Sequence, residues 1–322
     1  ALAARAAART GARPCTMERV MGTLAQIFFA VFIGFVVVRL RLLVPEQGDM
    51  KGVGFYVGQI AFPVLFFKTI VSAKLGDVDP GTILACTLGK AAVMAATWAL
   101  VYVAYRPSRS RGQRFATASV FAFFATASND FAVGLPIVQA LYNEEADMDI
   151  YIAGNALVTP VVFVPLSTIL CAIGQGMQDG EGLPDGGAAS GSSSRRKALN
   201  LLREIVVNPI MIITVLGLAY KGFLGFTLVD QGNSFALPNP LGGIVDLVTS
   251  PFGMCALFMT GINLRKISIS LWLVLLVMMK VVFCAYVTYA LADLLVPDSY
   301  GPAARARLHS FGFLYGMIPS ST

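Results

Sequence analysis

The sequence contains no Cys-x-x-Cys pair, and its single histidine, His309, has no metal-ligand companion at a useful spacing. Structural zinc and dithiol redox chemistry both need such groupings, so neither a metal nor another cofactor is expected. The five cysteines, at 15, 86, 171, 255 and 284, are scattered along the chain rather than framing loops. No Ser/His/Asp or Cys/His constellation is present, which argues against an enzyme. Charge is scarce as well: Asp, Glu, Lys and Arg supply 13% of residues, where soluble domains carry roughly 25%. The net charge of +6 lies in short clusters between apolar runs rather than on one stripe. That distribution excludes a nucleic-acid surface and fits membrane orientation.

What the chain has in excess is hydrophobic residues, 56% of the total. A bilayer core about 30 Å thick needs ~20 mostly apolar helical residues to cross it. Eight complete runs of that kind occur, near Val20–Val38, Gly52–Ala73, Gly81–Tyr105, Phe115–Tyr142, Ile150–Gly174, Ile205–Leu224, Leu237–Leu264 and Ile267–Leu295. A ninth opens near Arg307 and is still in progress at Thr322, so the chain is expected to stop inside the membrane. Residues 1–19 read as a basic extension, with Met17 a plausible start. Residues 175–198, rich in Gly, Ser and Asp, read as a flexible cytosolic loop. Loops carrying Arg39, Arg41 and Lys51, then Arg106 to Arg114, Arg195 to Arg203, and Arg265 with Lys266, are assigned to the cytosol. The alternate loops are acidic, with Asp77 and Asp79, Glu144 to Asp149, Asp230, and Asp293 with Asp298. This pattern puts the amino terminus outside or in a lumen, against the Arg residues of the extension.

The unusual residues recur in order. Pro63 interrupts the second run and Pro251 the seventh; Lys90 lies in the third and Lys280 in the eighth; Gly134-Leu135-Pro136 lies in the fourth and Gly316-Met317-Ile318-Pro319 in the ninth. Pro63 to Lys90 spans 27 residues and Pro251 to Lys280 spans 29. The architecture expected is an all-α inverted repeat of two five-helix units, 20–174 and 199–322, the second incomplete. An odd number of spans per unit inverts the second unit in the membrane. A Gly and Pro pair inside an apolar run predicts breaks in the fourth and ninth helices, lining protein or a water-filled cavity. Half-helices after Pro136 and Pro319 would aim their positive N-terminal ends at the midplane and favour an anion.

These motifs resemble the auxin efflux carrier family of PIN-type and PIN-like proteins, including animal members fused to receptor-like domains. The likeness rests on Asn129-Asp130-Phe131-Ala132-Val133-Gly134-Leu135-Pro136, Asn208-Pro209 with Gly217-Leu218, Pro251-Phe252-Gly253-Met254, and Tyr315-Gly316-Met317-Ile318-Pro319. Ser128-Asn129-Asp130-Phe131 is similar to the receptor-fused members. The resemblance implies a ten-helix fold with crossed, broken helices four and nine, and a substrate site between a scaffold and a moving domain. Asn129, Asp130, Gly134, Pro136 and Pro319 would form that site. Where plant members carry an Asp four residues before the third-helix Lys, this chain has Cys86, which removes that route for proton coupling.

Lys90, Lys280, Asp130 and Asp246 lie within apolar runs, where an ion costs about 2.5–3.5 kcal/mol unless paired or solvated. Lys90, Lys280 and Asp246 are therefore expected to support or couple the site, while Lys68, near a run end, snorkels to the interface. Phe121, Phe123, Phe124 and Phe131, with Phe311, Phe313 and Tyr315, are expected to face lipid for the most part. The functional expectation is a secondary active transporter exporting a small organic anion by alternating access. The alternative is a transporter-like lipid or metabolite sensor with a fused signalling domain. The expected setting is the plasma membrane or an endomembrane of the ER, vacuole or lysosome, with the lipid bilayer as environment, a homodimer as one possible assembly and no nucleic-acid partner.

Overall fold

The computed structural model describes residues 16–45, 48–74, 78–104, 110–142, 148–181, 209–230, 234–264 and 270–320. These residues are mostly helical. The helices are α1 (Thr16–Arg39), α2 (Lys51–Ser72), α3 (Pro80–Ala104), α4 (Arg111–Thr126), α5 (residues 130–141), α6 (residues 149–181), α7 (Pro209–Leu224), α8 (Leu241–Thr249), α9 (Phe252–Asn263), α10 (Leu271–Leu295) and α11 (Pro302–Met317). A two-stranded ribbon pairs β1 (Val229–Asp230) with β2 (Phe235–Ala236) between α7 and α8. Seven of the described helical stretches are long and apolar enough to cross a membrane, α4 with α5 and α8 with α9 each counting as one. Their outer faces carry large apolar side chains, such as Phe28 at 71% and Leu271 at 85% exposed, which only lipid can cover.

The helices contact one another in two sets. In one, α1 packs on α9, and α2 on α7 and α8; in the other, α3 packs on α4 and α10, α4 on α6, and α10 on α11. Helix α5 reaches across to α1 and α9. Without a hydrophobic drive between helices in lipid, such crossings depend on small residues that let backbones approach.

Prolines do not break this fold where the sequence alone suggests. The helix through Pro63 is continuous, and so is the one through Pro136. In each case a π-helical turn precedes or abuts the proline, Tyr56–Ala61 in α2 and Asp130–Gly134 in α5. A π turn widens the ring of backbone hydrogen bonds, here with the Leu135 N–H reaching back to Asp130 O, and so accommodates a residue that lacks a donor. Pro251, by contrast, does sit at an interruption, between the end of α8 and the start of α9. Two further boundaries move. Helix α6 continues to Glu181, through the start of the loop expected at 175, because its Gln and Met residues sustain intrahelical hydrogen bonds beyond the apolar stretch. The ninth helix opens at Pro302, whose fixed φ suits a first turn, rather than at Arg307. Residues 1–15, 182–208 and 265–269, with the basic residues expected there, lie outside the described residues, as do Arg106, Arg109, Asp77 and 143–147.

Candidate functional site

Helix α4 ends at Thr126 because Ala127 turns extended, with φ −61° and ψ 133°. The helix resumes at Asp130, so residues 127–129 form the break, seven residues before Pro136. Asn129 caps the new helix: its side-chain oxygen accepts from the Ala132 N–H at 3.3 Å, and its carbonyl accepts from Val133 and Gly134. The described residues after α11, 318–320, are also non-helical, and they bond to this break. The Asn129 N–H donates to Pro319 O at 2.9 Å, and the Ser320 hydroxyl donates to Phe124 O at 2.9 Å. Orphan groups of a broken helix within a bilayer need partners, and the residues after α11 supply two of them.

Against this break lie the buried ions. Lys90 on α3 and Lys280 on the π turn Met279–Phe283 of α10 are each 2% exposed. Lys90 Nζ donates to Tyr315 Oη at 2.5 Å and to Thr159 Oγ1 at 3.1 Å. Lys280 Nζ donates to Ser128 Oγ at 2.8 Å. Tyr315 Oη in turn donates to Asp130 Oδ2 at 3.4 Å, while Asp130 Oδ1 is buried with no partner among the described residues. Taken as ions, two ammonium groups and one carboxylate leave the set with one uncompensated positive charge. Three π turns bear this cluster, at Asp130–Gly134, Thr159–Phe163 and Met279–Phe283, and such turns recur at functional sites.

A cavity of about 530 Å³ opens on the break. Ser128, Asn129, Asp130 and Thr159 give it a polar wall on the side of the α3–α4–α6 set and α5, and Thr260 and Asn263 of α9 add polar groups opposite. Phe62 and Phe66 of α2, with Phe252 and Ala256 of α9, close it from the other set. Phe62 packs against Phe66, Phe131 and Phe252 with ring centroids 5.8–6.0 Å apart.

Of the residues expected to form a site, the structure brings together Asn129, Asp130, Lys90 and Lys280. Pro319 joins them through its carbonyl only. Gly134 faces Ile318, where a Cβ would lie 2.7 Å from the Ile318 Cδ1, so it permits packing rather than contact with the cavity. Pro136 lies within α5, away from that polar wall. Asp246 is not part of the cluster: it pairs with Lys68 at 2.7 Å, with side chains 62% and 40% exposed. Helical position put Asp246 within an apolar run, but the face it occupies turns outward, toward Lys68, which borders a different cavity. Lys68 ends in that ion pair, with its side chain 40% exposed. Since exposed pairs contribute about 0–1 kcal/mol, Asp246→Asn is expected to shift thermal stability by less than about 1 kcal/mol and leave ligand binding unchanged; a melting curve and a binding isotherm check both. Among the aromatic residues, Phe131, Phe311 and Tyr315 are buried, at 7%, 0% and 1% exposed, while Phe121, Phe123, Phe124 and Phe313 are half-buried. The bridging role of Tyr315, and the hydroxyls of Ser128 and Thr159, had no signature beyond their neighbourhood to broken-helix motifs.

Seven apolar stretches long enough to cross a membrane, packed around lysines buried at a helix break, mark a multi-pass membrane protein. Residues 19–292 match the family described as membrane transport protein, the auxin efflux carrier family, and the chain belongs to it. The mouse lysosomal cholesterol signaling protein is 28% identical over 313 residues, 94% of this chain and 33% of that protein. The Arabidopsis thaliana auxin efflux carrier component 8 is 27% identical over 128 residues, 39% of this chain and 34% of that protein. The chain thus spans about a third of the length of each of these curated relatives.

Proposed function

We propose that the protein is a secondary transporter that moves a small organic anion outward by alternating access. One observation carries this reading: a cavity between two helix sets is walled by a stitched helix break beside Lys90, Lys280 and Asp130. The uncompensated positive charge of that set suits a carboxylate, and the aromatic wall suits the apolar body attached to it. Asn129 and the first turn of α5 supply the donors, and an N-terminal helix end favours negative charge.

The two units expected from the sequence, 20–174 and 199–322, would meet at this point as inverted copies, with α4 and α5 crossing the corresponding break after α11. The set of α3, α4, α6, α10 and α11 would then move against the set of α1, α2, α7, α8 and α9. Alternating access of this kind is rocking or sliding of one bundle about a fixed site.

The test is efflux of radiolabelled small carboxylic acids from proteoliposomes containing the full-length protein. Saturable efflux that competes with unlabelled acid is expected. Absence of flux for every acid tried, from correctly inserted protein, would overturn the transport reading. A second reading has specific support in the lysosomal cholesterol signaling relative, two thirds of which lies beyond the matched region: the bundle binds a lipid or metabolite and signals through another domain. Saturable binding without flux would favour that sensor, and an endomembrane location would accompany it.

A further inference from the structure

A second cavity, of about 390 Å³, lies beside the first. Lys68, Ser72, Lys74, Gln139 and Asp149 give it a polar rim. The two cavities share one described lining residue, Phe131.

Three spans show that the cavities are stacked along the membrane normal rather than side by side. In α2 the first cavity takes Val57 to Phe66 and the second takes Leu65 to Ser72. Along 127–139 the first takes Ala127 to Phe131 and the second takes Phe131, Leu135 and Gln139. In α6, which runs the opposite way, the order reverses: the second cavity takes Asp149 to Ala153 and the first takes Ala156 to Val164. All three handovers fall at the level of Phe131. Its ring is 7% exposed and edge-on to Phe66 and Phe62, at 5.9 and 6.0 Å between centroids. Ala132, Ala156 and Ile70 complete the packing on either side.

We propose that the two cavities are the opposite ends of one permeation path, and that the Phe131 ring, held by Phe66, is the septum between them. The second cavity then receives the same solute on the far side of the membrane. Its ion-paired Lys68 and Lys74 hold a hydrated vestibule for a polar or anionic solute, with the apolar step confined to the thickness of one aromatic layer. Phe131 sits next to Asp130 on a π turn, so any rearrangement of the ion cluster shifts the ring directly. The inference requires the spans to cross a bilayer; it does not depend on the solute being an anion.

The test reads thiol access rather than transport, so its outcome is separable from that of the efflux assay. In full-length protein with the five native cysteines of this chain replaced, Ala156→Cys places a thiol in the first cavity and Ser72→Cys one in the second. A membrane-impermeant thiol reagent is added to either side. With Phe131 intact, the thiol at 156 should react rapidly from the side on which Asn263 lies and about tenfold or more slowly from the Lys74 side, to which it is exposed only when the bundle moves, whereas the thiol at 72 should react fastest from the Lys74 side. Phe131→Ala should raise labelling at 156 from the Lys74 side by about tenfold or more, since an interior packed at crystal density admits reagent only where a side chain is removed. Phe131→Trp should keep it at the parental rate, and unchanged labelling at 72 shows that each variant is folded. Equal labelling rates at 156 from both sides in the parent, or no gain from the Lys74 side in Phe131→Ala with labelling at 72 intact, overturns the septum.

Discussion

Lys280→Met is expected to weaken binding of a monoanionic solute by roughly a hundredfold while leaving the protein folded. The side chain is 2% exposed and its ammonium donates to Ser128 at the helix break. At an effective dielectric of about 20 and a separation of about 6 Å, one unit charge acts on another with ~3 kcal/mol, close to two decades in affinity. Methionine keeps the unbranched length and removes the charge. Stability should not fall with it, because a buried ion inside the membrane itself costs about 2.5–3.5 kcal/mol. Asp130 keeps Tyr315 as a donor, and Lys90 stays within the same chain of hydrogen bonds. The measurement pairs a thermal melt with the KM for efflux: a KM raised about a hundredfold with an unchanged or higher melting temperature is the expected signature. Efflux with parental KM would remove Lys280 from the binding set. A collapse in stability would assign it to the scaffold instead.

Gly261→Leu should have the largest effect on stability. Helices α1 and α9 cross with their backbones in contact: a Cβ on Gly261 would lie 2.0 Å from Val31 O, and one on Gly34 would lie 2.1 Å from Phe258 O. Both obstacles are main-chain carbonyls, which cannot rotate away. The helices must separate, and overpacking of that kind costs about 1–3 kcal/mol, with more where backbone has to move. The expected result is loss of a monodisperse peak on size exclusion or a large drop in melting temperature. Gly22→Ala, on the same α1 but with nothing within 4 Å of its Cβ, is the control. It should be neutral or stabilising, since alanine favours a helix interior by about 1 kcal/mol over glycine. Equal losses in both variants would show that the loss does not come from the close crossing of α1 and α9.

Several features of the site were legible in residues alone, and the reasons differ. Lys90 and Lys280 stood out because an ammonium within an apolar run demands a partner wherever the helix goes. Asn129 stood out through its spacing to Gly134 and Pro136, although its physical task is to cap a helix that restarts beside it. The proline rule located the right span and the wrong residue. Proline disfavours a regular α-helix, but the π turn before Pro136 absorbs the defect, and the chain instead breaks where Ala127 turns extended. Asp246 shows the converse: its place within an apolar run was read correctly, but the rotation of α8 turns it outward to pair with Lys68 instead of toward the buried cluster.

From its sequence alone this chain was bound to be a multi-pass helical membrane protein with ions placed inside the bilayer. Hydropathy, run length and charge content act locally and add along the chain, so they need no knowledge of contacts. Tertiary structure decided that Lys90, Lys280, Asp130 and Tyr315 converge, that Asp246 stands apart, and that Phe131 lines two cavities. Those outcomes depend on the angle at which each helix turns its faces to the others, which close packing between distant segments sets and no single segment encodes.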